Sequence, residues 1–186
     1  MSVALRLNLP YHEITPLLFP TSVGRGVTRT DVIGDAAVGV RAGLLLSLAA
    51  AVAWLSGAPA VFPSLGPTAF VLSTARRKPT GRVVVGGHAV GVVAGLASYL
   101  AIAAVVPVPD SPLVFDPPWL ALSAVLAVTL TTAGMRLTDL VHPPACATTL
   151  IVSLGLLSPV QSVAVVVPAV ISLLVVDRAL AARLRR

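Results

Sequence analysis

The chain has 186 residues, of which 56% are hydrophobic and only 11% are charged, and its formal net charge is +6. A water-soluble domain of this length needs more polar residues to cover its core, so the composition excludes that class. In a membrane protein a positive net charge is interpreted first as a signal of topology. We therefore expect no nucleic-acid partner. We therefore expect an all-α, multi-pass protein of the cell membrane that has the lipid bilayer as its first partner.

The apolar and polar stretches alternate along the chain. Residues 1–29 predict a cytoplasmic or interfacial N-terminal segment, residues 30–178 a transmembrane domain, and residues 179–186 a basic cytoplasmic tail. Within the domain, full-length spans are predicted at residues 42–58, 83–106, 119–135 and 162–176. Two shorter apolar helices are predicted at residues 68–75 and 145–157, and each follows a stretch rich in proline.

These proline-rich stretches predict two helix breaks, over residues 61–68 and 142–149. Proline has no N–H and clashes with the preceding turn, so it does not continue a helix, but it is well tolerated in a first turn. We therefore expect a helix to begin near Thr68 and another near Pro144, both at membrane depth.

The two breaks are also related by position. A shift of 80 residues places Pro63 on Pro143, Thr68 on Thr148 and Pro79 on Pro159. Both halves share the order span, proline break, short helix, proline turn, span. This order predicts an inverted repeat of two three-crossing units, at about residues 40–106 and 119–178, each with a proline-broken half-helix.

The charges are consistent with six crossings. On that count all 13 Lys and Arg residues fall on one side, and the loop with Asp110 and Asp116 falls on the other. Lysine and arginine favour the cytoplasmic side, which predicts that both termini are cytoplasmic. The polar residues at that side are topology signals or attract anions to the pore mouth: Arg76, Arg77, Lys78, Arg136 and Asp139.

A half-helix N-terminus inside a membrane protein offers free N–H groups and a positive dipole end, which suit a small anion. The predicted substrate-binding residues are Pro63, Ser64, Gly66, Pro67 and Thr68 in the first break, and His142, Pro143, Pro144, Ala145 and Thr148 in the second. Two alternatives remain open: His142 braces a helix end without touching solute, and His88 has an interfacial or packing role.

Motifs for catalysis or metal binding are not found in the sequence. HExxH, GxSxG, Walker A and Cys/His metal spacings do not occur. His142 and Cys146 lie four residues apart, but no third ligand lies nearby. We therefore predict no enzyme activity, no cofactor and no metal.

Three motifs in this order resemble the HPP family of integral membrane proteins. They are His142-Pro143-Pro144-Ala145 with Ala147-Thr148, the stretch 62–69, and Arg77-Lys78-Pro79 followed by Gly86-Gly87-His88. The resemblance covers about residues 40–178. Members are described as nitrite transporters, so it implies nitrite or a similar small anion as substrate. Cys146 stands where the family pattern leads us to expect glycine, and we expect no CBS domain.

The leading hypothesis is a transporter or channel for a small monovalent anion, most simply nitrite, bound between the two half-helix N-termini. The alternative is a membrane scaffold or assembly protein that transports nothing, in which the breaks are structural and the glycine-rich span is a subunit interface. Six short crossings form a thin bundle, so we also expect a homo-oligomer.

Overall fold

The computed structural model describes residues 29–106 and 118–183, and the side chains from residue 32 onward. The predictions for residues 1–28, for the loop with Asp110 and Asp116 and for residues 184–186 lie outside this part. The chain divides after Asp35 into two units, of which the second, Ala36–Arg186, contains the contacts described here. The described elements are all helices: α1 Arg29–Leu55, α2 Val61–Thr74, α3 Gly81–Ala103, α4 Pro118–Leu137, α5 Ala145–Ser153, α6 Pro159–Ala164 and α7 Val166–Arg183.

Four helical stretches are long and apolar enough to cross a membrane: Val32–Leu55, Gly81–Ala103, Pro118–Leu137 and Pro159–Arg183. These correspond to the four predicted spans and confirm an all-α protein with membrane-length helices. The last span begins earlier than predicted. Ser158 forms a capping box with Gln161, in which each side chain pairs with the other residue's backbone N–H. Pro159 is suited to the first turn that follows this cap.

The first predicted break is wrong. Residues 61–68 contain no helix break, because α2 runs as one 14-residue helix through both prolines. Pro63 lies in the first turn, where a backbone N–H would have no helical partner in any case. Pro67 lies inside the helix, where it removes the bond to the Pro63 carbonyl. The chain reverses before α2 instead, at Gly57, whose φ of 63° suits glycine.

At the second predicted break the chain is not helical between Leu137 and Ala145. The chain leaves the helix after Leu137, and α5 begins at Ala145, directly after Pro143 and Pro144. Asp139 has a φ of 55° and is the non-glycine residue with a left-handed backbone among those described. The short helix is shorter than predicted, since it ends at Ser153 and Gly155 follows with a φ of 71°.

Contacts at one end of the bundle fix the direction of several helices. Arg41 Nε lies 3.0 Å from Asp177 Oδ1, and Lys78 Nζ lies 3.7 Å from the same atom. A Cβ built on Gly81 would lie 2.8 Å from Arg178 Nη2. The Arg41 region of α1, the end of α2, the start of α3 and the end of α7 therefore meet here. We call this the basic end.

The remaining helices run between the basic end and the opposite end. A Cβ on Gly86, near the start of α3, would lie 2.7 Å from Leu140 Cδ1, so α4 finishes toward the basic end. Ser123 Oγ, near the start of α4, donates to the Ser153 carbonyl at 2.9 Å. The end of α5 thus lies beside the start of α4. As a result α2 and α5 run between the two ends, although neither has the length of a full span.

Glycines in α3 allow α5 and the segment before it to approach closely. A Cβ on Gly87 would lie 2.6 Å from His142 Cβ, and a Cβ on Gly95 would lie 2.9 Å from Val152 Cβ. A Cβ on Gly91 would lie 2.7 Å from Thr149 Oγ1. Small residues at this spacing permit close helix packing in lipid. These three glycines therefore serve contacts within the chain rather than a subunit interface.

Candidate functional site

A buried polar network lies where α2, α3 and α5 meet. It consists of Ser64 and Thr68 from α2, His88 from α3, His142 from the break and Thr148 from α5, and we call it the His–hydroxyl network. His142 is 2% exposed and the other four are fully buried. Polar groups at such depth are stable only when they find hydrogen-bond partners.

The five side chains form one continuous chain of contacts. Ser64 Oγ lies 2.6 Å from Thr148 Oγ1, which lies 2.7 Å from His88 Nδ1. The other ring nitrogen, His88 Nε2, lies 2.9 Å from Thr68 Oγ1. Thr68 Oγ1 in turn lies 3.4 Å from His142 Nε2. His88 therefore bridges Thr68 and Thr148, which the 80-residue shift places on each other.

The hydrogen bonds in this chain have two consistent directions. In one, Ser64 donates to Thr148, Thr148 donates to His88 Nδ1, His88 Nε2–H donates to Thr68, and Thr68 donates to His142. In the other, every one of these donors and acceptors is reversed. A neutral imidazole is a donor at one nitrogen and an acceptor at the other, so each direction uses both nitrogens of His88 and the Nε2 of His142. The contacts are thus continuous from Ser64 to His142, and the longest of them joins Thr68 and His142.

Further buried hydroxyl groups continue from the network along α5. Thr149 Oγ1 lies 3.0 Å from Thr131 Oγ1 of α4 and 3.2 Å from the Ala145 carbonyl. Ser98 of α3 is buried, and its hydroxyl has no hydrogen-bond partner among the described residues. The interface of α3, α4 and α5 therefore carries polar groups beyond the network, in the direction away from the basic end.

The structure brings only some of the predicted binding residues together. Ser64, Thr68, His142 and Thr148 meet in the network. The prolines and the glycine do not contribute a polar group to it. Pro63, Pro67 and Pro143 are exposed at the bundle surface, Pro144 and Ala145 are buried, and Gly66 faces Leu46, which a Cβ would approach to 3.8 Å.

The backbone N–H groups expected to bind an anion are already bonded. Ala145 N donates to the His142 carbonyl at 3.0 Å, Cys146 N to Pro143 at 3.0 Å, and Ala147 N to Pro144 at 3.1 Å. At the other site, residues 66–68 lie inside α2 rather than at its start. The polar groups that the structure assembles at this depth are therefore side chains.

His88 has a larger part in the site than the interfacial or packing interpretation suggests. It is fully buried and is the centre of the network. A signal for this position was present. His88 lies three residues before Gly91, and residues at that spacing share one helix face. A histidine on the face that approaches another helix most closely is necessarily buried there.

Charged residues gather at the basic end rather than in the network. Arg41 Nη2 lies 2.5 Å from Asp177 Oδ1 and donates to the Asp177 carbonyl at 3.1 Å. Lys78 also donates to the Leu72 carbonyl. Burial lowers the pKa of Lys78, and the Asp177 carboxylate opposes that shift. Arg76, Arg77, Arg136 and Asp139 are exposed, and Arg136 makes no ion pair with Asp139 in the described residues.

No group of three or more His, Cys, Asp or Glu side chains suited to a metal ion occurs among the residues that were searched, those the structure describes.

A bundle of apolar helices, four of them membrane-length, with a buried polar network defines an integral membrane protein. The chain matches the family model described as HPP, transmembrane region, over residues 27–183. It belongs to the HPP family. Comparisons with curated proteins and with solved structures return no match.

Proposed function

We propose that this protein is a transporter or channel for a small monovalent anion, and that the solute passes the His–hydroxyl network. The observation that supports this is the network itself: two histidines and three hydroxyl residues, all buried, with no carboxylate among them. Ionisable residues inside a membrane bundle are expensive to bury and commonly mark substrate or ion pathways. Donors without a nearby carboxylate favour an anion over a cation.

The identity of the donors differs from the sequence hypothesis. The N–H groups at the start of α5 are bonded within the chain. We therefore propose that Ser64, Thr148 and His142 bind the anion through their side chains after the network opens. Nitrite is the substrate that the family resemblance implies. The continuous contacts between its hydroxyl and imidazole groups are compatible with proton-coupled movement.

Flux through proteoliposomes tests this proposal. We expect nitrite uptake by the wild type to exceed that of protein-free liposomes, and Thr148→Val and His142→Ala to lower it about tenfold or more. The reason is that a hydrogen bond to a charged group is worth about 1.5–3 kcal/mol. Thr132→Val is the matched control, since Thr132 is exposed and bonds only the Val128 carbonyl. Nitrate and formate measure selectivity.

One observation favours the alternative of a membrane scaffold. Ser64 Oγ and Thr148 Oγ1 are in direct contact at 2.6 Å, so no solute fits between them in this conformation. The same flux measurement separates the two functions. Uptake equal to that of protein-free liposomes for all three anions would exclude transport and leave the structural role.

We further propose that the two halves form an inverted repeat with six crossings and that the basic end is cytoplasmic. The opposite courses of α2 and α5 between the ends support the repeat, and the positive-inside rule supports the orientation. In a Cys146→Ala background, a membrane-impermeant maleimide should label Ala60→Cys in intact cells. Arg77→Cys should react only after lysis. The reverse pattern of labelling would overturn the orientation.

A further inference from the structure

A second polar feature lies at the basic end, apart from the His–hydroxyl network. It is a cavity of about 560 Å³ between α1, the end of α2, the following loop and α7. One part of its wall is charged and the other is apolar. The charged side includes Arg41, Lys78, Asp177 and Arg178, and the apolar side includes Leu72 and Leu174.

The charged side carries three cations against one carboxylate. Asp177 is already engaged by Arg41, whose Nε and Nη2 both reach Oδ1. Lys78 lies farther from that oxygen, at 3.7 Å, and its side chain is 39% exposed. In the described part of the chain the Arg178 guanidinium makes no hydrogen bond or ion pair. Among the described residues, three cations therefore face one carboxylate at the cavity.

The shape and the lining together select a class of ligand. Guanidinium groups match phosphate oxygens in geometry, and a lysine ammonium adds a point charge. The apolar side formed by Leu72 and Leu174 suits the carbon part of an ester. The volume lies in the range of small-molecule pockets and far exceeds what an inorganic monovalent anion needs. A cavity also excludes part of the solvent, so its charges are screened less than those on an open surface.

We propose that this cavity binds a phosphate ester of net negative charge, with Arg178 and Lys78 as its cationic contacts and Asp177 holding Arg41 in place. Two sources share this chemistry. One is the headgroup of an anionic phospholipid, which basic clusters beside membrane spans attract. The other is a soluble phosphate ester. This inference does not depend on the transported substrate.

Native mass spectrometry of the full chain in detergent, titrated with phosphatidylglycerol or phosphatidylcholine, tests the site. We expect phosphatidylglycerol to bind about tenfold tighter than phosphatidylcholine, and Arg178→Gln to remove most of that preference. Lys78→Gln is a second variant with the same expected direction. Arg183→Gln is the matched control, because it removes one charge from the same helix outside the cavity lining.

Glycerol 3-phosphate distinguishes the two sources. Competition by millimolar glycerol 3-phosphate would support the phosphate site and show that it accepts a soluble ester, whereas a phosphatidylglycerol preference that persists would support the site and assign it to a headgroup. Equal binding of the two lipids without an effect of glycerol 3-phosphate would overturn the proposal. An equal loss in Arg178→Gln and Arg183→Gln would also overturn it, because it would indicate general surface charge.

Discussion

Gly87→Ala is expected to lower the free energy of unfolding by about 2 kcal/mol and to disturb the His–hydroxyl network. The added Cβ would lie 2.6 Å from His142 Cβ and 3.1 Å from the Leu140 carbonyl oxygen. Neither neighbour is the end of a flexible side chain, so backbone has to move. Overpacking of this kind costs about 1–3 kcal/mol, and the better helix propensity of alanine offsets at most about 1 kcal/mol.

Two measurements test the expected effects of Gly87→Ala on stability and on transport. Thermal unfolding in detergent, monitored by circular dichroism, should show a melting temperature roughly 4–8 °C lower. Nitrite flux should fall as well, since the added Cβ displaces His142 within the network. The matched control is Gly43→Ala in α1, where a Cβ would meet nothing within 4 Å. Unchanged stability in Gly87→Ala would mean that α3 and the break separate easily.

Asp177→Asn should destabilise the protein by about 3 kcal/mol. The Asp177 side chain is 8% exposed and the Arg41 side chain 14%, so the pair is largely shielded from water. Removing one partner of a buried ion pair leaves an uncompensated charge, which costs about 3–5 kcal/mol. The partial exposure of Lys78 and Arg41 places the expected value at the lower end of that range. Because Arg41 belongs to α1 and Asp177 to α7, this loss should loosen α1.

A double-mutant cycle isolates the pair. Arg41→Gln with Asp177→Asn should recover part of the stability that Asp177→Asn alone loses, because the shielded guanidinium is then no longer left without its carboxylate. Asp139→Asn is the control for removal of a carboxylate, since Asp139 is exposed and asparagine tolerates its φ of 55°. Additive losses in the cycle would contradict a coupling between Arg41 and Asp177.

Much of the helical content was predictable from local properties of the chain. Long apolar stretches marked the four spans, and Pro143-Pro144 marked the start of α5. The first break was not predictable in the same way. Proline ends a helix in its interior but is tolerated in its first turn, and the turn at Gly57 decided where that first turn falls. The homo-oligomer stays a prediction, since it concerns contacts beyond one chain.

The His–hydroxyl network depends on contacts between distant residues, which local sequence patterns do not predict. Ser64 and Thr148 are separated by 84 residues, and His88 and Thr148 by 60. The sequence identified Ser64, Thr68, His142 and Thr148 as polar groups near breaks. It assigned His88 to packing, because nothing beside it in the chain shows which helix its face meets.

By itself, the sequence determined that this is an all-α membrane protein with basic residues toward one end and breakers at two related positions. Apolar content, charge and proline act locally, so their effects on helices and topology can be predicted from the sequence. The tertiary structure alone decided that side chains rather than helix N-termini supply the buried polar groups, and that Asp177 pairs with Arg41. Those outcomes depend on how closely α5 approaches the glycines of α3 and on which helix ends meet, and both are properties of packing.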